Sequence, residues 1–154
     1  MNFIEPNLET ILTHLENIES TTHPLWGSMS AQRMVEHLSD SLKMAVGQSV
    51  FPLEVPEDRI PKMKEFLLSE KPMAKNIEVP FAKKNEELRS SDLELAIDEL
   101  AENWVEFEEY FSDNEHETTL HPYYGPLNYE EWNRLHAKHF THHLQQFGLV
   151  EERI

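Results

Sequence analysis

Hydrophobic residues recur along this chain at steps of three and four in four separate stretches, and each stretch begins at a residue able to cap a helix. Asn7 precedes Leu8, Ile11, Leu12, Leu15 and Ile18, a single stripe that predicts a first helix ending near Ser20. Ser30, with Met29 and Met34 at staple positions, opens a second helix. Its seam is Met34, Leu38, Leu42 and Ala45, and Gly47 closes it. Ser91 and Glu94 read as a capping box for a third, along which Leu93, Ile97, Leu100, Trp104, Phe107 and Phe111 keep the spacing of a helix packed on helices. The fourth, 128–148, has both ends marked. Asn128 and Glu131 form a capping box, Leu127 and Trp132 a staple, and Gly148 suits the left-handed position beyond the last turn.

The connections read differently. The stretch His23-Pro24-Leu25-Trp26-Gly27 is a turn, with Trp26 expected to plug one end of the bundle. Between the second and third helices, 48–90 carries Pro52, Pro56, Pro61, Pro72 and Pro80, which leave room only for a short helix over 61–69. Phe51, Phe66, Leu67, Met73, Val79 and Phe81 there are candidate pocket walls. The stretch 112–126 ends in a stiff aromatic turn, and no credible strand set appears anywhere. The fold predicted is all-α: a four-helix bundle with a long Pro-rich crossover between helices 2 and 3, one domain over 1–154.

Composition narrows function more than fold. Thirteen Lys plus Arg against twenty-nine Asp plus Glu give a net charge of −16, which argues against a nucleic-acid or anionic-membrane surface. There is no cysteine, so a Cys nucleophile, Cys-based zinc sites and disulfides are excluded, and thiol chemistry would need a thiol brought by the substrate. No apolar run approaches the roughly 18 residues of a membrane span, and Met-Asn-Phe-Ile-Glu-Pro does not open a signal peptide; a cytoplasmic location is the expectation. No glycine-rich phosphate loop, Ser-His-Asp order or evident general acid or base stands out.

What does stand out is histidine. On the last helix His139 and His143 are about 40° apart in angle and one turn apart along the axis, so both imidazoles can address one point. Such a pair is either hydrogen-bonded at the edge of the core or part of a metal site, and the second reading needs a third ligand. His37, at the margin of the second helix's seam, reads by itself as a half-buried polar residue, and His121 as a loop histidine that could belong to a site.

Met34-Val35-Glu36-His37-Leu38, together with His139-Phe140-Thr141-His142-His143-Leu144-Gln145-Gln146-Phe147-Gly148, resembles the DinB/YfiT-like superfamily of metalloenzymes. His121-Pro122-x-x-Gly125-x-Leu127 followed by Trp132 is similar to an uncharacterised branch of it. The resemblance covers nearly the whole chain in helix order and spacing. It implies a homodimer and a divalent metal, zinc or nickel, held by His37, His139 and His143. His136, His142, Gln146 and His121 become candidates to hydrogen-bond and orient the ligands, His142 the weakest because it points furthest from the seam. The implied function is a thiol S-transferase or hydrolase in which the metal activates a low-molecular-weight thiol or water against a small-molecule substrate. The competing expectation is a non-catalytic binding or accessory module that keeps the histidine cluster and works beside a catabolic enzyme. An open coordination position facing a pocket favours the first, and a protein side chain in that position the second.

Overall fold

A computed structural model describes residues 3–77, 79–82 and 87–152. Among the described residues the chain forms α1 (Leu8–Leu15), α2 (Ala31–Ala45), α3 (Ile60–Leu68), α4 (Leu93–Asp113), a hairpin of β1 (Thr119–His121) and β2 (Gly125–Leu127), and α5 (Tyr129–Gln146). A single 3-10 turn, Glu57–Arg59, leads into α3. The expectation of a purely all-α four-helix bundle is therefore corrected, because a fifth helix and a two-stranded antiparallel sheet are part of the architecture.

Helix ends follow local chemistry. Asn7, Ser30 and Asn128 each accept the expected backbone N–H, and Asn128 and Glu131 complete their capping box. For α4 the cap is Asp92, which accepts from the Leu95 amide at 2.9 Å, and not Ser91. A carboxylate one residue later satisfies the same orphan donors and also suits the positive end of the helix. The first helix stops at Leu15, earlier than its apolar stripe suggests, although Ile18 beyond it is still buried. At the far end of α5, Leu149 donates to the Leu144 carbonyl (2.8 Å) and Gly148 to that of Gln145 (3.0 Å), with Gly148 at φ +71°. These two bonds make the Schellman ending that the glycine announces.

The hairpin pairs Thr119 with Leu127, Leu120 with Pro126 and His121 with Gly125. Strands of three residues are too short to show alternation, and Pro126 argues against a strand, so the pattern hides it. The legible signal is Gly125, which follows a three-residue loop and sits at φ +76°, as such hairpins require. Two contacts dock the hairpin: the Thr119 hydroxyl donates to the Ala45 carbonyl (2.7 Å) and accepts from the Trp132 indole N–H (2.7 Å). A Cβ at Gly125 would lie 2.9 Å from the Ile60 side chain. Gly125→Ala is expected to cost about 1–3 kcal/mol, through left-handed backbone strain and this close approach. Chemical denaturation would measure it, and a neutral result would mean that the hairpin does not hold this conformation.

Met34, Val35, Leu38 and Leu42 of α2 share a core with Leu100, Trp104, Phe107 and Phe111 of α4, closed by Trp132, Phe140 and Leu144 of α5 and by Ile11 and Leu15 of α1. The crossover, whose positions 78 and 83–86 lie outside the described residues, is tied to this core by two polar clasps. Fully buried Glu36 accepts from the backbone amides of Arg89 (2.7 Å) and Ser90 (3.3 Å) and from Gln32 (3.0 Å). On α5, Lys138 donates to the carbonyls of Phe66 and Lys71 (2.7 Å) and to the Ser69 hydroxyl (3.3 Å), while Arg134 donates to the carbonyls of Leu67 and Ser69. Both side chains thus satisfy the carbonyls left over at the end of α3. Burial pushes the Lys138 amine down to about 8, with Arg134 adding to the shift. Lys138→Met is expected to destabilise by about 2–3 kcal/mol, the value of hydrogen bonds to a charged group left with buried acceptors. A thermal or urea melt reads this, and a loss below about 0.5 kcal/mol would mean the clasp is ornamental. None of the helices among the described residues is long and apolar enough to cross a membrane.

Candidate metal centre

α2 and α5 bring three histidines together. The rings of His37, His139 and His143 stand with every pair of centroids 4.8 Å apart and with planes 75° to 84° apart. The Nε2 atoms of His37 and His139 are 2.9 Å apart, and one ligand atom from each of the three residues falls within 4.8 Å of the others. Zinc–imidazole bonds of about 2.0–2.1 Å at tetrahedral angles place nitrogens roughly 3.4 Å apart, so small ring rotations close the group on one ion. These three side chains could hold a metal ion.

The electronic state of the group fits. His37 is pushed down to about 4 by burial, then by the Arg33 guanidinium; Asp40 opposes this. His139 and His143 lie well below the ordinary histidine range, first through burial; His143 and then His37 add to the shift of His139, and His37 and then His142 to that of His143. Neutral imidazoles are the form that ligates. Gln146 supports His143: its Oε1 lies 2.8 Å from Nδ1, while its own N–H donates to the Trp26 carbonyl at 3.1 Å. Because that second bond fixes which end of the amide is the oxygen, Nδ1 of His143 must be the donor, and Nε2 is left bare toward the other two rings.

Of the other sequence candidates, His142 is closer than its angle suggests. Its ring meets His143 (5.0 Å) and Trp26 (5.6 Å) at the pocket margin and is shifted down by burial and by Lys75. His136 is not brought to the group by any hydrogen bond. It is buried among Trp104, Phe107, Trp132 and Phe140, and neither ring nitrogen has a partner among the described residues. His121 sits on the hairpin against Phe81, Tyr124 and Trp132.

The three histidines open on a cavity of ≈ 520 Å³ that is mainly apolar, walled by Phe51, Phe66, Met73, Val79 and Phe81 from the crossover. Leu67, expected among the walls, is buried in the core. Trp26, whose carbonyl accepts from Gln146 at the end of α5, borders this cavity under the Lys75 ammonium, 4.2 Å from the ring centroid. Sequence reasoning passed over Asp40, which lines the cavity one turn beyond His37 and is paired with Arg33 (3.1 Å) and Arg89 (2.8 Å). The i, i+3 spacing of His37 and Asp40 was the available signal.

No curated protein and no solved structure matches the chain. A family model described as Protein of unknown function (DUF1569) matches residues 2–149, and no DinB/YfiT family does. The DinB/YfiT-like resemblance is corrected on that finding: it rested on helix order and on short motifs, which a bundle with inward-facing histidines can carry without belonging to that superfamily. The homodimer and the thiol transfer that it implied lose that support. Over nearly its whole length, the chain belongs to the DUF1569 family.

Proposed function

We propose that this chain is a metal-dependent enzyme in which His37, His139 and His143 hold one divalent cation, zinc or nickel, at the wall of a largely apolar substrate pocket. The observation that carries the reading is the convergence of three neutral imidazoles on a cavity of ≈ 520 Å³. Imidazole suits both ions. A cation bound there supplies Lewis acidity, bringing a coordinated water or substrate thiol into its nucleophilic form near neutral pH.

The chain's own residues do the rest. Gln146 holds the His143 ring in one tautomer and one orientation. Met29, Met44, Phe66 and Met73 surround the apolar part of a ligand and exclude water from the reacting end. Since the triad borders the cavity, a cation held there would lie within reach of a substrate, which favours turnover over an accessory role. With no cysteine in the chain, any thiol nucleophile arrives as substrate.

Protein purified without an affinity tag is expected to carry close to one zinc or nickel ion per chain by elemental analysis. The loaded protein is then screened for hydrolysis of neutral aryl esters and amides and for transfer of thiols to electrophiles. Protein that neither retains nor takes up a divalent ion at neutral pH would remove the proposal.

A further inference from the structure

We propose that His121 is the hydrogen-bond donor that recognises an acceptor oxygen of the substrate, so that the pocket takes an aromatic or similarly apolar compound bearing a carbonyl-type group. The inference rests on the reading of the cavity as a substrate pocket, but not on the metal.

The tautomer of His121 is set by the backbone. The Tyr123 amide donates to Nδ1 at 3.0 Å, which makes Nδ1 an acceptor and leaves the ring's single proton on Nε2. Burial pushes the ring down to about 3, so it remains a neutral donor throughout the physiological range. Nε2 has no protein partner among the described residues, yet it is not sealed off as both nitrogens of His136 are. His121 keeps 8% of its surface exposed and lines the cavity, so the N–H opens into it.

The donor is also held still. His121 pairs with Gly125 at the end of the hairpin and is gripped by Tyr124 (4.8 Å), Phe81 (5.5 Å) and Trp132 (5.6 Å between ring centroids). These rings and Phe51, which contacts Phe81 at 6.0 Å, form the aromatic surroundings of the N–H. A flat apolar body fits against them, and its acceptor atom satisfies the His121 N–H. A buried donor of this kind rejects an analogue lacking the acceptor, because the N–H is then left without a partner.

The test has two parts. Long-range nitrogen–proton NMR of histidine-labelled protein reads the tautomer directly, and Nε2–H is expected for His121. Binding of propiophenone and of propylbenzene is then measured on metal-stripped protein. The ketone-to-hydrocarbon affinity ratio is expected to be about fivefold higher in the wild type than in His121→Phe, with His121→Gln between them. A proton on Nδ1, absence of ketone binding, or the same ratio in the phenylalanine variant overturns the proposal. Metal content of the same preparations judges the metal centre separately, so failure of one reading is distinguishable from failure of the other.

Discussion

Replacing His143 by alanine is expected to abolish stoichiometric metal binding, and replacing Gln146 by leucine to weaken it by roughly 10- to 100-fold. The two effects have different origins. Alanine removes one of three imidazoles and leaves a two-ligand site, below the three that catalytic centres ordinarily use. Leucine leaves all three rings in place but deletes the acceptor 2.8 Å from Nδ1 of His143, so the ring is free to turn and to hold its proton on the wrong nitrogen. Elemental analysis reads the first effect and competition with a chelating dye the second; circular dichroism confirms that both variants keep their helices. An unchanged metal content in His143→Ala would show that the three rings meet for some other reason.

Mild acid is expected to unfold this protein earlier than its carboxylates alone would allow. His121 and His136 are both pushed down to about 3 by burial, His136 further by His121, whereas unfolded histidine titrates near 6.5. Between these values the unfolded chain binds protons that the folded chain refuses, so stability is complete above pH 6.5 and falls as pH drops toward 3. Each group accounts for about 1.4 kcal/mol at pH 5.5, and together they account for about 3 kcal/mol. That window lies above the range where the abundant carboxylates protonate.

His136 separates the causes, since its ring lies between Trp132 (5.8 Å) and Phe107 (4.7 Å) with both nitrogens unpartnered among the described residues. His136→Leu removes a buried polar group without a bond and is expected to raise stability by about 1 kcal/mol at pH 7.5. At pH 5.5 the advantage grows to about 2–3 kcal/mol, as the leucine variant has no proton to refuse. Urea titrations at the two pH values measure both. A leucine variant less stable than wild type by 2 kcal/mol or more at pH 7.5 would mean that the imidazole is bonded in solution and has a structural task.

Capping chemistry is local, and it was readable for that reason. Asn7, Ser30 and the Asn128–Glu131 box bond to amides three positions away, and Gly148 ends α5 by its own backbone preference. The apolar seams of α2, α4 and α5 were equally legible, because a repeat near 3.6 residues is a property of the helix itself. The orientation of His139 and His143 toward one point belongs with these, as both stand on the same helix. Three-residue strands leave no such periodicity, so apart from the turn glycine Gly125 the hairpin was settled by its docking through Thr119 on Ala45 and Trp132.

Packing between distant segments decided the remainder. Whether His37 meets His139 depends on how α2 lies against α5, across a separation of 102 positions, and no local propensity carries that distance. The same holds for the crossover, whose aromatics became cavity walls because Glu36, Arg134 and Lys138 seize its backbone. His121 received its tautomer from a turn, its neutrality from burial and its outlook from the cavity. Residue types and helical periods are written along the chain, whereas the protonation and direction of an imidazole are set by its neighbours in space, which only the folded molecule supplies.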